Sequence, residues 1–138
     1  MNIINWFKKT DFVLVFALVL LTISLGTILD FLAHTLDVRF SVADSYFTHK
    51  IFYGTLWGFV GYMLFRKYLT TPSRIAFAIS AVPSVLLQTM YYIQGHLLTW
   101  VVILFLILHF LMFFFPALYL ARRYKWVFVE KKDEGAVG

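Results

Sequence analysis

The chain has 138 residues, 62% of them hydrophobic, 20% aromatic and only 14% charged, whereas a soluble domain of this size carries about a quarter charged residues. Long uncharged runs and a mean hydropathy of +0.82 therefore place it in a bilayer. Cysteine is absent, which excludes a disulfide framework, thiolate metal ligands and a cysteine nucleophile. The net charge of +5 does not require nucleic acid once its distribution along the chain is considered.

Residues 1–10 set Ile3, Ile4, Trp6 and Phe7 beside Lys8 and Lys9, a mix suited to the headgroup region. A first membrane helix is expected over 11–36. Its start resembles a signal peptide, with Ser24-Leu25-Gly26 as a small-residue site, but apolar residues resume at once with Ile28, Leu29, Phe31 and Leu32. The run is long enough to span, so it is read as retained. The segment 30–50 then joins the first helix to the second and carries Asp30, His34, Asp37, Asp44, His49 and Lys50.

Ser41 and Asp44 have the spacing of a capping box, which starts a second helix near residue 42 and carries it to about 67. Gly54, Gly58 and Gly61 share one face of that helix, a groove that lets another backbone approach closely. Packing within the chain is the ordinary use of such a face; a homodimer seam is the alternative. Thr71-Pro72 are expected as N-cap and first residue of a third helix over 72–94. Pro83 should kink it, because the Ile79 carbonyl loses its usual donor, and Ser84 is a candidate substitute. Gly95 breaks the pattern, and a fourth helix is expected over 96–124 with His109 as the one ionisable residue of its central run. The remainder, 125–138, opens with an interfacial aromatic patch and ends as a charged tail expected to be disordered.

The expected fold is thus an all-α integral membrane protein, a single up-down bundle of four transmembrane helices covering 1–138. Lys8 and Lys9, then Arg66, Lys67 and Arg74, then Arg122, Arg123, Lys125, Lys131 and Lys132 fall on one side, leaving Arg39 and Lys50 on the other. The positive-inside rule puts both termini in the cytoplasm of a multi-pass cell-membrane protein, with membrane lipids as its surroundings.

With that topology, one outer layer collects polar side chains from all four helices. Asp30, His34 and Asp37 share a face of the first helix. His49, Lys50 and Tyr53 come from the second, Gln88, Tyr91 and Tyr92 from the third, and His96 opens the fourth. Asp30, His34, His49 and His96 are candidate ligands for one zinc, iron or manganese ion. Asp37 would orient His34, Lys50 would join Asp30 in the chemistry, and Tyr53, Gln88, Tyr91 and Tyr92 would line the cavity. A metal at that level would activate water towards a lipid or lipid-linked substrate, which makes a metal-dependent membrane enzyme the leading expectation. The alternatives are a wetted rim in which Lys50 or His49 pairs with the aspartates, and a non-enzymatic subunit or ion or lipid carrier. His109, about 20 Å below His96 at 1.5 Å per residue, is expected to bond Thr22, Ser24 or Ser80 instead. Haem is not expected, for want of a second histidine at that depth, and a serine hydrolase lacks any G-x-S-x-G elbow.

Overall fold

The computed structural model describes residues 12–36, 38, 41–93 and 99–129. Lys8, Lys9, Asp37, Arg39, the turn around His96 and the tail from 130 onward lie outside the described residues. Four long helices follow one another: α1 Phe12–Thr35, α2 Asp44–Phe65, α3 Pro72–Ile93 and α4 Thr99–Arg123. A 3-10 turn, Arg66–Tyr68, extends α2, and a short α5, Lys125–Phe128, follows α4. No strand occurs among the described residues. By length and composition α1, α3 and α4 can each cross a membrane, whereas α2, with its glycines and its charged first half, falls short of the same hydropathy.

The long helices close a ring: α1 packs on α2 and α4, and α3 packs on the same two. Pairing runs antiparallel around it. Asp30, Ile23 and Val19 meet Lys50, Gly54 and Gly58 in turn, while Gly26 and Asp30 meet Phe113 and His109. Inside lies a stripe of wholly buried side chains from every long helix, among them Val15, Val19 and Ile23, Tyr62, Ile75 and Phe113. The outer faces are as apolar as the inner ones: Val13, Leu32, Phe52, Leu64, Phe77, Trp100, Ile107 and Phe115 are all exposed. An apolar surface wrapped around a filled core belongs in lipid, since soluble monomers rarely expose patches beyond a few hundred Å².

In hydrocarbon, burying a leucine against another helix gains little over leaving it in lipid, so close backbone contact has to hold the helices together. The glycines supply it. A Cβ on Gly58 would stand 3.0 Å from Val19 Cγ1 and 3.1 Å from the Ile79 carbonyl oxygen. On Gly61 it would stand 2.6 Å from the Ala78 carbonyl oxygen, and on Gly54 2.9 Å from Ile23 Cγ2. The Ile79 carbonyl is the group that Pro83 deprives of a donor, so Gly58 makes room for the oxygen that the proline frees. The glycine face is thereby taken up by packing inside the chain. On α1, Gly26 does the same for α4, where a Cβ would meet the Met112 carbonyl oxygen at 2.7 Å.

Three local expectations need correcting. Ser41 does not cap α2: the N-cap is Ala43, with no side-chain cap, and Ser41 instead donates its N–H to the Val38 carbonyl in a turn. Ser84 does not relieve Pro83, since its hydroxyl and that of Ser80 are buried without a partner. The aromatic patch after α4 does not simply float at the interface: Val127 and Phe128 are buried, and the Tyr62 hydroxyl donates to the Phe128 carbonyl at 2.7 Å. At the start of α3, by contrast, Thr71 Oγ1 accepts from the Arg74 N–H at 3.4 Å, the expected N-cap geometry though a long bond.

Candidate functional site

α1 turns Asp30 inward because it continues the buried stripe of Ile23, then Gly26 and Thr27, with about a turn from Ile23 to that pair and another from it to Asp30. α2 brings Lys50 in on the same stripe as Gly54 and Gly58. Where the helices face each other, Lys50 Nζ donates to Asp30 Oδ2 at 2.7 Å, with both residues only 3% exposed. A charged pair at such depth costs several kcal/mol per ion in desolvation and persists only with good geometry and further hydrogen bonds. The neighbours supply one such bond, from Lys50 to Tyr46, and two imidazoles close to the carboxylate. His34 Nε2, one turn along α1, lies 3.6 Å from the same carboxylate oxygen, and His109 Nε2 lies 3.5 Å from Oδ1. Lys50 also reaches the Tyr46 hydroxyl at 3.4 Å and stands over the Tyr46 and Phe113 rings at 5.3 and 5.7 Å.

The proton positions on His109 follow from its partners. Nδ1 lies 2.7 Å from the Phe105 carbonyl oxygen, which can only accept, so Nδ1 carries a hydrogen. The Gln88 amide nitrogen is placed 3.0 Å from that same Nδ1, donor against donor, while Gln88 Oε1 is buried without a partner. Turning the amide over removes the clash, with Oε1 sharing the Nδ1–H that the Phe105 carbonyl already accepts, and leaves the amide nitrogen as the buried group without a partner. His109 Nε2 is then free to accept from the Tyr46 hydroxyl at 3.4 Å, or, when protonated, to donate to Asp30 Oδ1. Tyr46 in turn accepts from Lys50. Asp30, Lys50, Tyr46 and His109 thus form one closed network in which a single proton has more than one place to sit.

Beside this network, between α2 and α3, lies a cavity of about 190 Å³ lined by Tyr46, Lys50, Tyr53, Leu87, Met90 and Tyr91. His49 also borders it, its ring 6.2 Å from that of Tyr53, and is exposed rather than set against Asp30. The Tyr91 ring lies 5.9 Å from the Tyr46 ring, which joins the cavity wall to the network.

Of the residues singled out in the sequence, Asp30, His34 and Lys50 come together; Gln88 reaches them through His109 and Tyr91 through Tyr46. Tyr53 is on the cavity wall, and Tyr92 is exposed. Asp37 and His96 lie outside the described residues. Asp30 and His34 stand near each other as two ligands would, but the cation against the carboxylate is the Lys50 ammonium. No three His, Asp or Glu side chains among the described residues gather as a metal site. His109 was placed too deep by counting down from His96. Its level is set by the antiparallel register of α4 on α1, in which Gly26 facing Phe113 brings Asp30 opposite His109 one turn on. That register carries no signal in the sequence, whereas Tyr46, one turn before Lys50, could have been found from i, i+4 spacing alone. Thr22 donates to its own Leu18 carbonyl at 2.8 Å rather than to His109. Compared with protein-family models, curated proteins and solved structures, the chain matches none of them, so its function is argued from this geometry.

Proposed function

We propose that this chain is a four-helix membrane protein with both termini in the cytoplasm, acting as a non-enzymatic carrier whose working site is the Asp30–Lys50–Tyr46–His109 network, used to take up and release a proton. One observation carries the reading. The two oxygens of a buried carboxylate face different groups, an ammonium bonded to Oδ2 and, 3.5 Å from Oδ1, an imidazole nitrogen that bonds it only when protonated, with the Tyr46 hydroxyl bridging ammonium and imidazole. A purely structural ion pair needs only the first contact. Ionisable groups inside a membrane are expensive and are kept where a pathway or a coupling step needs them. The skew of Lys and Arg towards the termini and the α2–α3 connection supports the orientation, and puts the network in the outer half of the bundle.

The metal-dependent enzyme on a lipid substrate is the second reading, supported by the 3.6 Å approach of His34 to Asp30. It ranks lower because Lys50 already neutralises the carboxylate that a metal would need. The test of proton exchange is infrared difference spectroscopy on the full chain in nanodiscs, comparing buffers of high and low pH. A protonated-carboxyl band that appears on acidification and is missing in Asp30→Asn is the expected result. An Asp30 that keeps one protonation state across the whole range would make the pair a static brace and end the carrier reading.

A further inference from the structure

The geometry points to the cavity between α2 and α3 as a binding site for the carboxylate head of a single-chain amphiphile, taken up together with one proton. This rests on the carrier reading and names its ligand class.

Charge conservation is the core of the argument. Asp30 and Lys50 are a neutral pair in a place where an uncompensated charge costs several kcal/mol. An anion arriving at Lys50 alone would leave two negative charges on one ammonium, and a proton arriving at Asp30 alone, the state that acid has to force when no ligand is present, leaves the ammonium without a counter-ion. Only the two together restore neutrality: the proton joins the Asp30 carboxylate, and the ligand carboxylate replaces it on Lys50 Nζ. No bond other than that O–H forms, and the reverse step returns a proton and an anion. The ligand should be a monoanion, because it replaces one carboxylate on one ammonium.

The cavity has the matching shape and chemistry. Lys50, 97% buried by its 3% exposure, forms part of its wall, and the Tyr46 and Tyr91 side chains flank it. Leu87 and Met90 make the rest apolar, and Met90 and Tyr53 are 45% and 40% exposed, so the cavity leads out onto the lipid-facing flank of the bundle. An acyl tail can lie along that flank while its head reaches the lysine. Every element packed on Asp30 offers a group that bears on its proton: His34 on α1 itself, Lys50 and Tyr46 on α2, His109 on α4, and Gln88 on α3 through His109. His109 is the neighbour placed to hand the proton over, since its Nε2 faces both Asp30 Oδ1 and the Tyr46 hydroxyl.

The probe is radiolabelled decanoate in equilibrium dialysis against the full chain in neutral-lipid nanodiscs, with empty nanodiscs subtracted. Saturable binding is expected, with affinity falling about tenfold per pH unit as pH rises, the slope of one coupled proton. Decanol should not compete. Met90→Trp, a change at a half-exposed position that fills the cavity, should abolish the binding. Asp30→Asn, which leaves the lysine waiting for an anion, should bind decanoate more tightly and without pH dependence, and decanoate should raise its melting temperature. Binding that ignores pH in the wild type, that decanol displaces, or that survives Met90→Trp would overturn the proposal, as would decanoate that only partitions into the lipid. Failure here with an intact infrared signal from Asp30 removes the ligand and leaves the carrier; loss of the infrared signal removes both.

Discussion

The buried pair makes a quantitative test of the fold as well as of the site. Removing one partner of a buried ion pair costs about 3–5 kcal/mol, because the other charge stays behind uncompensated, while replacing both with apolar residues is often close to neutral. The surroundings rank the two single changes. Lys50→Met leaves Asp30 beside two imidazoles, His34 at 3.6 Å and His109 at 3.5 Å, either of which can become the cation. Asp30→Leu leaves Lys50 with the Tyr46 hydroxyl at 3.4 Å and two aromatic faces, none of them charged. Lys50→Met should therefore fall near the lower end, about 3 kcal/mol, and Asp30→Leu near the upper, about 5 kcal/mol. The double variant Asp30→Leu/Lys50→Met should lose about 1 kcal/mol or less, a coupling of several kcal/mol. Unfolding by denaturing detergent, followed by tryptophan fluorescence and circular dichroism, measures all three. Single and double variants that lose the same stability would mean that the ammonium and carboxylate do not compensate each other, and the reasoning about both site and ligand would fail.

Three further outcomes test the frame around the site. Gly61→Ala should destabilise the bundle by about 1–3 kcal/mol in the same assay, because its Cβ would stand 2.6 Å from the Ala78 backbone oxygen, which no rotamer change can relieve; an unchanged midpoint would show that α2 and α3 can part freely there. Tyr62→Phe should cost about 1–3 kcal/mol by leaving the Phe128 carbonyl without its 2.7 Å partner, and amides of α5 should exchange faster. Since the chain has no cysteine, Ser45→Cys gives a single label site; membrane-impermeant maleimide should reach it only from outside the cell, and labelling only from the cytoplasmic face would reverse the proposed topology.

Several features of this protein are local and were legible in the sequence for that reason. A helix that crosses a bilayer must satisfy its own backbone and present apolar side chains over some twenty residues, so all-helical architecture and membrane residence follow from composition and run length. Thr71-Pro72 could be recognised because an N-cap and its proline lie in one turn. The carboxylate at Asp30 stood out because charge inside such a run is costly whatever surrounds it. What Asp30 meets was another matter. Metal, water, lysine and proton can each meet that cost, and the sequence does not rank them; the choice depended on Lys50, twenty residues on, reaching across from α2. His109 was misplaced because depth was counted from the end of its own helix. Its height against Asp30 depends instead on how far α4 slides along α1, and contact at Gly26 with Phe113 stops that slide. Gly58 is the same case: its position was visible, but the carbonyl that it admits is one that Pro83 frees on another helix. Helix formation follows from short-range spacing, whereas partnership follows from register between helices, which only close packing in three dimensions sets.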